Sequence, residues 1–398
     1  MEKLAINGGY PVRDSRIEYG CQWINEEDIE AVVSVLQSDL ITCGPKVQEL
    51  ENHLCEYTGA RYSVVVNSGT SALHCAVIAA GIGTDDEVIT TPITFAASSN
   101  CALYVGAKPV FADISSSTYN IDPASIREHI TEKTRAIVAV DFTGQAVQID
   151  EIRGICNKHN LVFIEDAAHS IATEYKGKKI GSIADMTCFS FHPVKTITGG
   201  EGGAILTNNE VLYKKLLLAR SHGITKDEKL MIGRPHEGPW YYEQIGLGYN
   251  YRLTDFQAAL ISSQLGRIDK FKKRRKEIVH KYNEVFSNIP ELYIQKEIPE
   301  SDTCRHLYII QLKLDKLTCT RREFFDAMSA ENVQCQIHYV PVYWFPYYQK
   351  LGYKKGLCPK AEEVYKGIMS IPLYPKMSDK DVDDVIHAVQ KVIDNYRK

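Results

Sequence analysis

From about residue 60 to residue 220, seven short apolar segments alternate with stretches patterned as helices. The predicted strands are Ser63–Val66, Glu87–Thr90, Pro109–Asp113, Ala136–Asp141, Leu161–Asp166, Met186–Phe191 and Gly203–Thr207. Helical patterns at Ser71–Ala80, Ala97–Val105, Ala124–His129 and Asp150–His159 lie between several of them. Strands joined through helices run parallel, because a parallel pair needs a long crossover connection. The segments are rich in Val, Ile and Ala along nearly their whole length, as strands covered on both faces are. The alternation therefore predicts an α/β domain on a largely parallel sheet.

Beyond Asn250 the texture changes. Thr254 is placed to cap one long helix running from Asp255 to about Phe286, long enough to bridge two domains. The remainder mixes predicted strands, Leu307–Leu314 and Val333–His338, with helices at Arg321–Ala330 and Asp379–Arg397, which suggests a smaller α+β domain. The expected organisation is an N-terminal arm over 1–20, a large domain over 21–255, a linking helix over 256–287 and a small C-terminal domain over 288–398.

Composition narrows the partners. A formal net charge of −4 gives no field suited to nucleic acid or an anionic membrane. The one dense basic run, Lys270 to Lys276, sits in a helical pattern and reads as a solvated face. No stretch approaches a membrane span and the N-terminus lacks the apolar core of a signal peptide. Eleven scattered cysteines without a Cys-x-x-Cys pair fit a reducing, cytoplasmic setting. Neither His-Glu-x-x-His nor a Cys/His cluster occurs, so no metal is expected.

In open parallel sheets ligands bind beyond the carboxyl ends of the strands, so the residues that follow each strand matter most. The first strand is followed by Asn67-Ser68-Gly69-Thr70-Ser71-Ala72, which opens a helix. Small and hydroxyl residues there make either an ordinary cap or an anion site, since free amides and the helix dipole converge at that end. The fifth ends on Glu165-Asp166 and continues Ala167-Ala168-His169. A carboxylate at that position either caps the next turn or pairs with a protonated ring nitrogen. The sixth ends in Ser190-Phe191-His192-Pro193-Val194-Lys195, followed by Gly199-Gly200-Glu201-Gly202-Gly203. A lysine beside a buried strand is a surface charge or, if enclosed, an amine nucleophile of lowered pKa. The glycines there predict close backbone approach to a ligand. Phe95, after the second strand, is either core or a flat face for a ring. An anion cradle, a ring-nitrogen carboxylate and a strand-end lysine together make the set of parts that pyridoxal 5'-phosphate (PLP) requires.

These segments resemble the DegT/DnrJ/EryC1/StrS sugar-nucleotide aminotransferases, PLP enzymes of fold type I. The resemblance runs nearly end to end. It is carried by Asn67-Ser68-Gly69-Thr70-Ser71-Ala72-Leu73, Glu165-Asp166-Ala167-Ala168-His169, Phe189 to Lys195 with Glu201-Gly202-Gly203, and Gly248-Tyr249-Asn250-Tyr251-Arg252-Leu253. It implies a large domain with a mostly parallel, mixed seven-stranded sheet and a smaller α+β domain. It implies Lys195 as the Schiff-base lysine, Asp166 at the pyridine nitrogen, His169 facing the phenolic oxygen and Phe95 over the ring. Gly69, Thr70, Ser71 and Ser190 match the phosphate cradle. Asn250 matches a residue that reaches the cofactor phosphate of a neighbouring subunit, which implies a homodimer with shared sites.

Within the family the likeness is strongest to 4-aminotransferases of pseudaminic-acid biosynthesis, through His192 to Lys195, Gly238-Pro239-Trp240-Tyr241-Tyr242-Glu243 and His338-Tyr339-Val340-Pro341. That implies amine transfer from L-glutamate, through a pyridoxamine 5'-phosphate form, to C4 of UDP-2-acetamido-2,6-dideoxy-β-L-arabino-hex-4-ulose. The product is UDP-4-amino-4,6-dideoxy-N-acetyl-β-L-altrosamine. Arg252, His306, His338, Tyr339 and Trp240 are the candidate substrate contacts. Thr196 and Gly199-Gly200 depart from the subgroup pattern beside the lysine. The competing expectations are a D-configured or 3-keto UDP- or dTDP-sugar, a PLP lyase or dehydratase, and a PLP-binding regulator without turnover.

Overall fold

The computed structural model describes residues 2–233 and 238–398. Met1 of the expected arm and residues 234–237 of the expected large domain lie outside the described residues. The helices used below are α1 (Glu26–Leu36), α2 (Pro45–Thr58), α3 (Gly69–Ala79), α4 (Ala97–Tyr104), α5 (Pro123–His129), α6 (Ile149–His159) and α7 (Glu210–Arg220). They are followed by α8 (Asp255–Leu265), α9 (Ile268–Phe286), α10 (Arg321–Ala330), α11 (Pro346–Lys350), α12 (Pro359–Gly367) and α13 (Asp379–Tyr396).

All seven expected strands join one sheet: β1 (Tyr62–Val66), β2 (Glu87–Thr90), β3 (Lys108–Phe111), β4 (Thr134–Val140), β5 (Val162–Asp166), β6 (Met186–Ser190) and β7 (Gly203–Thr207). Their order is β1-β7-β6-β5-β4-β2-β3. The pairs among β6, β5, β4, β2 and β3 are parallel. Only β7 runs antiparallel, between β1 and β6, so the sheet is mixed. Along β1 the residues alternate sides, as the pleat requires. Val65 packs with α2, α6 and α8 through Leu54, Ile152 and Ile261. Val64 and Val66 pack with α3, α4 and α7 through Val77, Cys101 and Leu216. Each fully buried aliphatic side chain in these layers contributes about 1.5–3 kcal/mol on leaving water.

The single helix expected from Asp255 to Phe286 is two helices. It breaks at Gly266 and Arg267, between α8 and α9. Glycine weakens a helix interior, and the side chains around the break are held by α1 and the residues before it. Gln264 donates to Asp28 Oδ2 at 2.6 Å and to the Trp23 carbonyl at 3.1 Å, and Arg267 pairs with Asp28 as well. Thr254 is the N-cap residue of α8, as expected, but its side chain makes no capping hydrogen bond. Its hydroxyl donates to Gln257 Oε1 at 2.7 Å. Its neighbour Asp255 instead accepts from the amides of Gly44 and Lys46, each at 2.8 Å, at the start of α2. The passage between cores belongs to α9, whose Phe271 lies in the large core and whose Ile278, Tyr282 and Phe286 lie in a second.

That second core surrounds an antiparallel sheet of β8 (Leu292–Ile294), β9 (Tyr308–Leu312) and β10 (Ile368–Ile371), in that order. The strand expected at Val333–His338 is not one. Val333 makes a single bridge to Ile17 and Gln336 another to Ser370, because the segment divides its backbone bonds between the arm and β10. The arm is fixed on this side. Leu4 and Ile17 enter the second core, and the Glu331 carboxylate accepts from Ala5 N, Val12 N and Lys391 Nζ, each at 2.9 Å. Among the described residues no helix is long and apolar enough to cross a membrane.

Candidate active site

Beyond the carboxyl ends of β1, β5 and β6 lies a cavity of about 730 Å³. Pairing sets Val66 and Ser190 on either side of Gly203, so the start of α3 comes against the end of β6. The approach is close. A Cβ added at Gly69 would meet Ser190 Cβ at 2.8 Å, and one at Gly203 would meet the Ser68 carbonyl at 2.4 Å. Ser68 caps α3 by accepting from Ser71 N at 3.0 Å. The amides of Gly69 and Thr70, first in the helix, have no intrahelical partner and lie at the positive end of its dipole. Ser71 turns its hydroxyl inward and donates to Asn67 Oδ1 at 2.6 Å.

Asp166 ends β5 in the cavity wall. Its Oδ2 accepts from Ser98 Oγ at 2.6 Å and its Oδ1 from Ala168 N at 3.2 Å. Ser98 in turn lies 2.7 Å from Thr94 Oγ1, which is the donor once the Ser98 proton is given to Asp166. Burial raises the Asp166 pKa, opposed by the Ser98 and Ala168 hydrogen bonds and by the Lys195 charge. Lys195 faces the same space from the turn after β6, where its amide donates to the His192 carbonyl at 2.9 Å. Burial brings its pKa down to about 8, opposed by Asp166.

Two of the glycines after Lys195 are required by helix packing. A Cβ at Gly199 would lie 2.6 Å from Ile261 Cγ1, and one at Gly202 would lie 3.1 Å from Ile261 Cδ1. Those two let the loop pack on α8, while Gly203 admits the Ser68 carbonyl.

The opposite wall is aromatic and neutral. His169 and His306 lie with ring centroids 4.5 Å apart, and the Nδ1 of each is buried without a hydrogen-bond partner. His338 Nδ1 lies 2.9 Å from Ser370 Oγ. Burial pushes His169 and His306 well below the usual imidazole range and His338 to about 4. Tyr339 lies 6.4 Å from both His169 and Phe95 between ring centroids. Phe95 is 63 % exposed, which excludes a core role.

Gly69, Thr70, Ser71, Phe95, Asp166, His169, Ser190, Lys195, His306, His338 and Tyr339 thus share one cavity. Asn250, Arg252 and Trp240 do not line it. Asn250 is exposed and bridged to Ser221, and Trp240 is 70 % exposed. Sequence reasoning missed Ser98, Thr94, Tyr19 and Asn67 as lining residues. Asn67 lies inside the Asn67–Leu73 motif, whereas a serine within α4 and a tyrosine at the end of the arm carry no signal in the sequence.

Enclosure of Lys195 has a direct consequence. At pH 7 about a tenth of an amine of pKa 8 is uncharged, against fewer than about one in a thousand ordinary lysines. Mild treatment with a small aldehyde and borohydride is expected to label Lys195 before other lysines, with a midpoint near pH 8 by peptide mapping. Labelling that tracks surface lysines would contradict the geometry.

Comparison with known proteins adds the family. The model of the DegT/DnrJ/EryC1/StrS aminotransferase family matches residues 22–390. The chain is 42% identical over 383 residues to the spore coat polysaccharide biosynthesis protein SpsC of Bacillus subtilis, covering 96% of this chain and 98% of that one. It is 40% identical over 385 residues to the UDP-4-amino-4,6-dideoxy-N-acetyl-beta-L-altrosamine transaminase of Campylobacter jejuni, covering 96% and 99%. Its fold matches the solved PLP form of Spr1654 from Streptococcus pneumoniae with a TM-score of 0.88 at 31% identity, over 96% of this chain and 99% of that one.

Proposed function

Because the chain belongs to the DegT/DnrJ/EryC1/StrS aminotransferase family, we propose that its cavity transfers the amino group of L-glutamate to C4 of a UDP-linked 4-keto-6-deoxy-N-acetylhexosamine, with PLP as cofactor. The observation that carries the proposal is the opposition of Lys195 and Asp166 in one cavity with the amide end of α3. The residues present fit PLP. The α3 amides and the Thr70 and Ser190 hydroxyls suit its phosphate, and Ser71 joins them once it releases Asn67. Asp166, with Ser98 and Ala168 already bound to its two oxygens, suits a protonated pyridine nitrogen. The unpartnered Nδ1 of His169 offers a partner for the phenolic oxygen. Phe95 offers a face to the ring.

Bound there, PLP would supply the electron sink that makes the hydrogen on the amine-bearing carbon acidic. The protein supplies position and protons. Lys195 would hold the cofactor covalently, and its free amine has a pKa of about 8. Such an amine can accept the proton of the donor's α-carbon and later deliver one to C4 of the sugar near neutral pH. Asp166 would keep the ring nitrogen of the bound cofactor positive. The neutral imidazoles of His306 and His338, with Tyr339, present hydrogen-bonding groups suited to sugar hydroxyls without adding charge.

The substrate of L-arabino configuration, leading to the altrosamine product and pseudaminic acid, follows the Campylobacter relative. The comparable identity to SpsC favours a second reading, another UDP- or dTDP-keto sugar, and the Thr196 and Gly199-Gly200 departures bear on the same question. Incubation with PLP, glutamate and a panel of keto nucleotide sugars tests both. The L-arabino UDP-4-keto sugar is expected to be aminated fastest. Preference for a D-configured, dTDP-linked or 3-keto sugar would move the assignment to that substrate.

The working unit is a homodimer in which Asn250, which does not line its own cavity, completes the phosphate site of the partner. Sedimentation is expected to give a dimer, and Asn250→Ala to weaken PLP retention about tenfold, as loss of a hydrogen bond to a charged group does. A fully active monomer would remove this arrangement.

A further inference from the structure

Among the described residues lining the cavity there is no arginine, and Lys195 is the one lysine. Lys195 is committed to the reacting centre. His169, His306 and His338 are held neutral by burial. His192 stands 4.0 Å from the Glu201 carboxylate. An amino donor with two carboxylates would therefore meet a wall that already carries Asp166 and Glu201 and has no free fixed cation. A carboxylate leaving water is held best by a cation, and the residues lining the single chain's cavity provide none that is free.

The missing charge stands on the segment that carries Asn250. The rings of Tyr249 and Tyr251 stack with centroids 5.1 Å apart and planes 8° apart. Both lie against His74 of α3, at 4.8 and 5.9 Å between centroids, and the Tyr251 hydroxyl lies 3.1 Å from His74 Nδ1. In extended chain, residues two apart share a face and the residues between them take the other. Asn250 and Arg252 therefore share the face of the segment opposite the stacked tyrosines. The backbone of Tyr251 is fixed beside the cradle, accepting from Asn67 N at 2.9 Å and donating to the Arg220 carbonyl at 3.0 Å. Arg252 is half-buried, and its guanidinium has no hydrogen-bond or ion-pair partner among the described residues.

We infer that Arg252 of the partner subunit is the cation that receives a carboxylate of the amino donor in the cavity of Lys195 and Asp166. The guanidinium fork matches a carboxylate through two parallel hydrogen bonds. This assignment rests on the dimeric aminotransferase reading above. It moves Arg252 from the sugar nucleotide, where sequence likeness had put it among the contacts, to the donor.

The test separates the two anions. Binding of maleate, an unreactive dicarboxylate, and of UDP is measured by calorimetry on the PLP-loaded dimer. Arg252→Ala is expected to weaken maleate about tenfold or more, the loss of a charge-assisted hydrogen bond, and to leave UDP unchanged. The KM for glutamate rises with it. Unchanged maleate affinity, or a loss confined to UDP, overturns the assignment. A mixed dimer of one Lys195→Ala chain and one Arg252→Ala chain fixes which subunit acts. It holds one site with Lys195 facing an intact partner arginine, so about half the wild-type rate is expected if the arginine acts across the interface. A mixed dimer no better than the Arg252→Ala homodimer overturns the assignment. A wild-type dimer that takes no amino group from glutamate overturns the underlying aminotransferase reading instead.

Discussion

Lys195→Ala is expected to lose both covalent cofactor attachment and turnover while keeping the fold. A positioned proton carrier alone is worth about 10²–10⁴-fold in rate, and the variant also loses the covalent hold on PLP. The structural effect should be small or favourable, because burial already disfavours the charged lysine. No side-chain hydrogen bond or ion pair ties its Nζ to a described residue. Compared without PLP, the variant should therefore melt at or above the wild-type temperature at neutral pH. Stopped-flow absorbance and circular dichroism separate the two effects. Normal transamination by the purified variant would show that Lys195 is not the amine.

Asp166→Ala should be nearly as damaging by a different route. A carboxylate about 4 Å from a cationic ring nitrogen at an effective dielectric near 20 is worth about 4 kcal/mol before desolvation, or roughly 10³-fold in rate. The variant should fold, since the other groups around it, Ser98 and Ala168, can turn to water in the open cavity. It should also shift Lys195. The Asp166 charge raises the lysine pKa, so its removal lowers the midpoint of aldehyde labelling below about 8. A midpoint that stays put, with near-normal rates, would remove Asp166 from the account.

The predictions rest on features of unequal legibility. The seven strands of the large sheet could be read because each is a nearly continuous apolar run, and Asp166, Lys195 and the Asn67–Ser71 turn stand where those runs stop. Elements governed by distant partners were not legible. Gly266 and Arg267 break the α8–α9 helix against Asp28 and Trp23, more than two hundred residues earlier. The Val333–His338 segment is divided between Ile17 and Ser370, so its apolar pattern never becomes a strand. β10 follows directly on α12, so no loop residues mark the change. Within the site the same rule holds. Ser98 matters only because α4 sets it 2.6 Å from Asp166, and Tyr19 because the arm ends beside His338, with ring centroids 5.4 Å apart. The purpose of Gly199 and Gly202 was not legible, since what they admit is Ile261 of α8.

Asp166, Lys195 and the α3 cradle together make one claim, that nitrogen leaves glutamate and arrives on a sugar carbon in this cavity. Nitrogen-15 glutamate, PLP and the UDP-linked L-arabino 4-keto sugar, followed by magnetic resonance of the sugar nucleotide, test that claim directly. The account predicts label bonded to C4 of the product and stoichiometric 2-oxoglutarate, both absent with Lys195→Ala. Label found at another carbon, released as ammonia or retained in glutamate would contradict it.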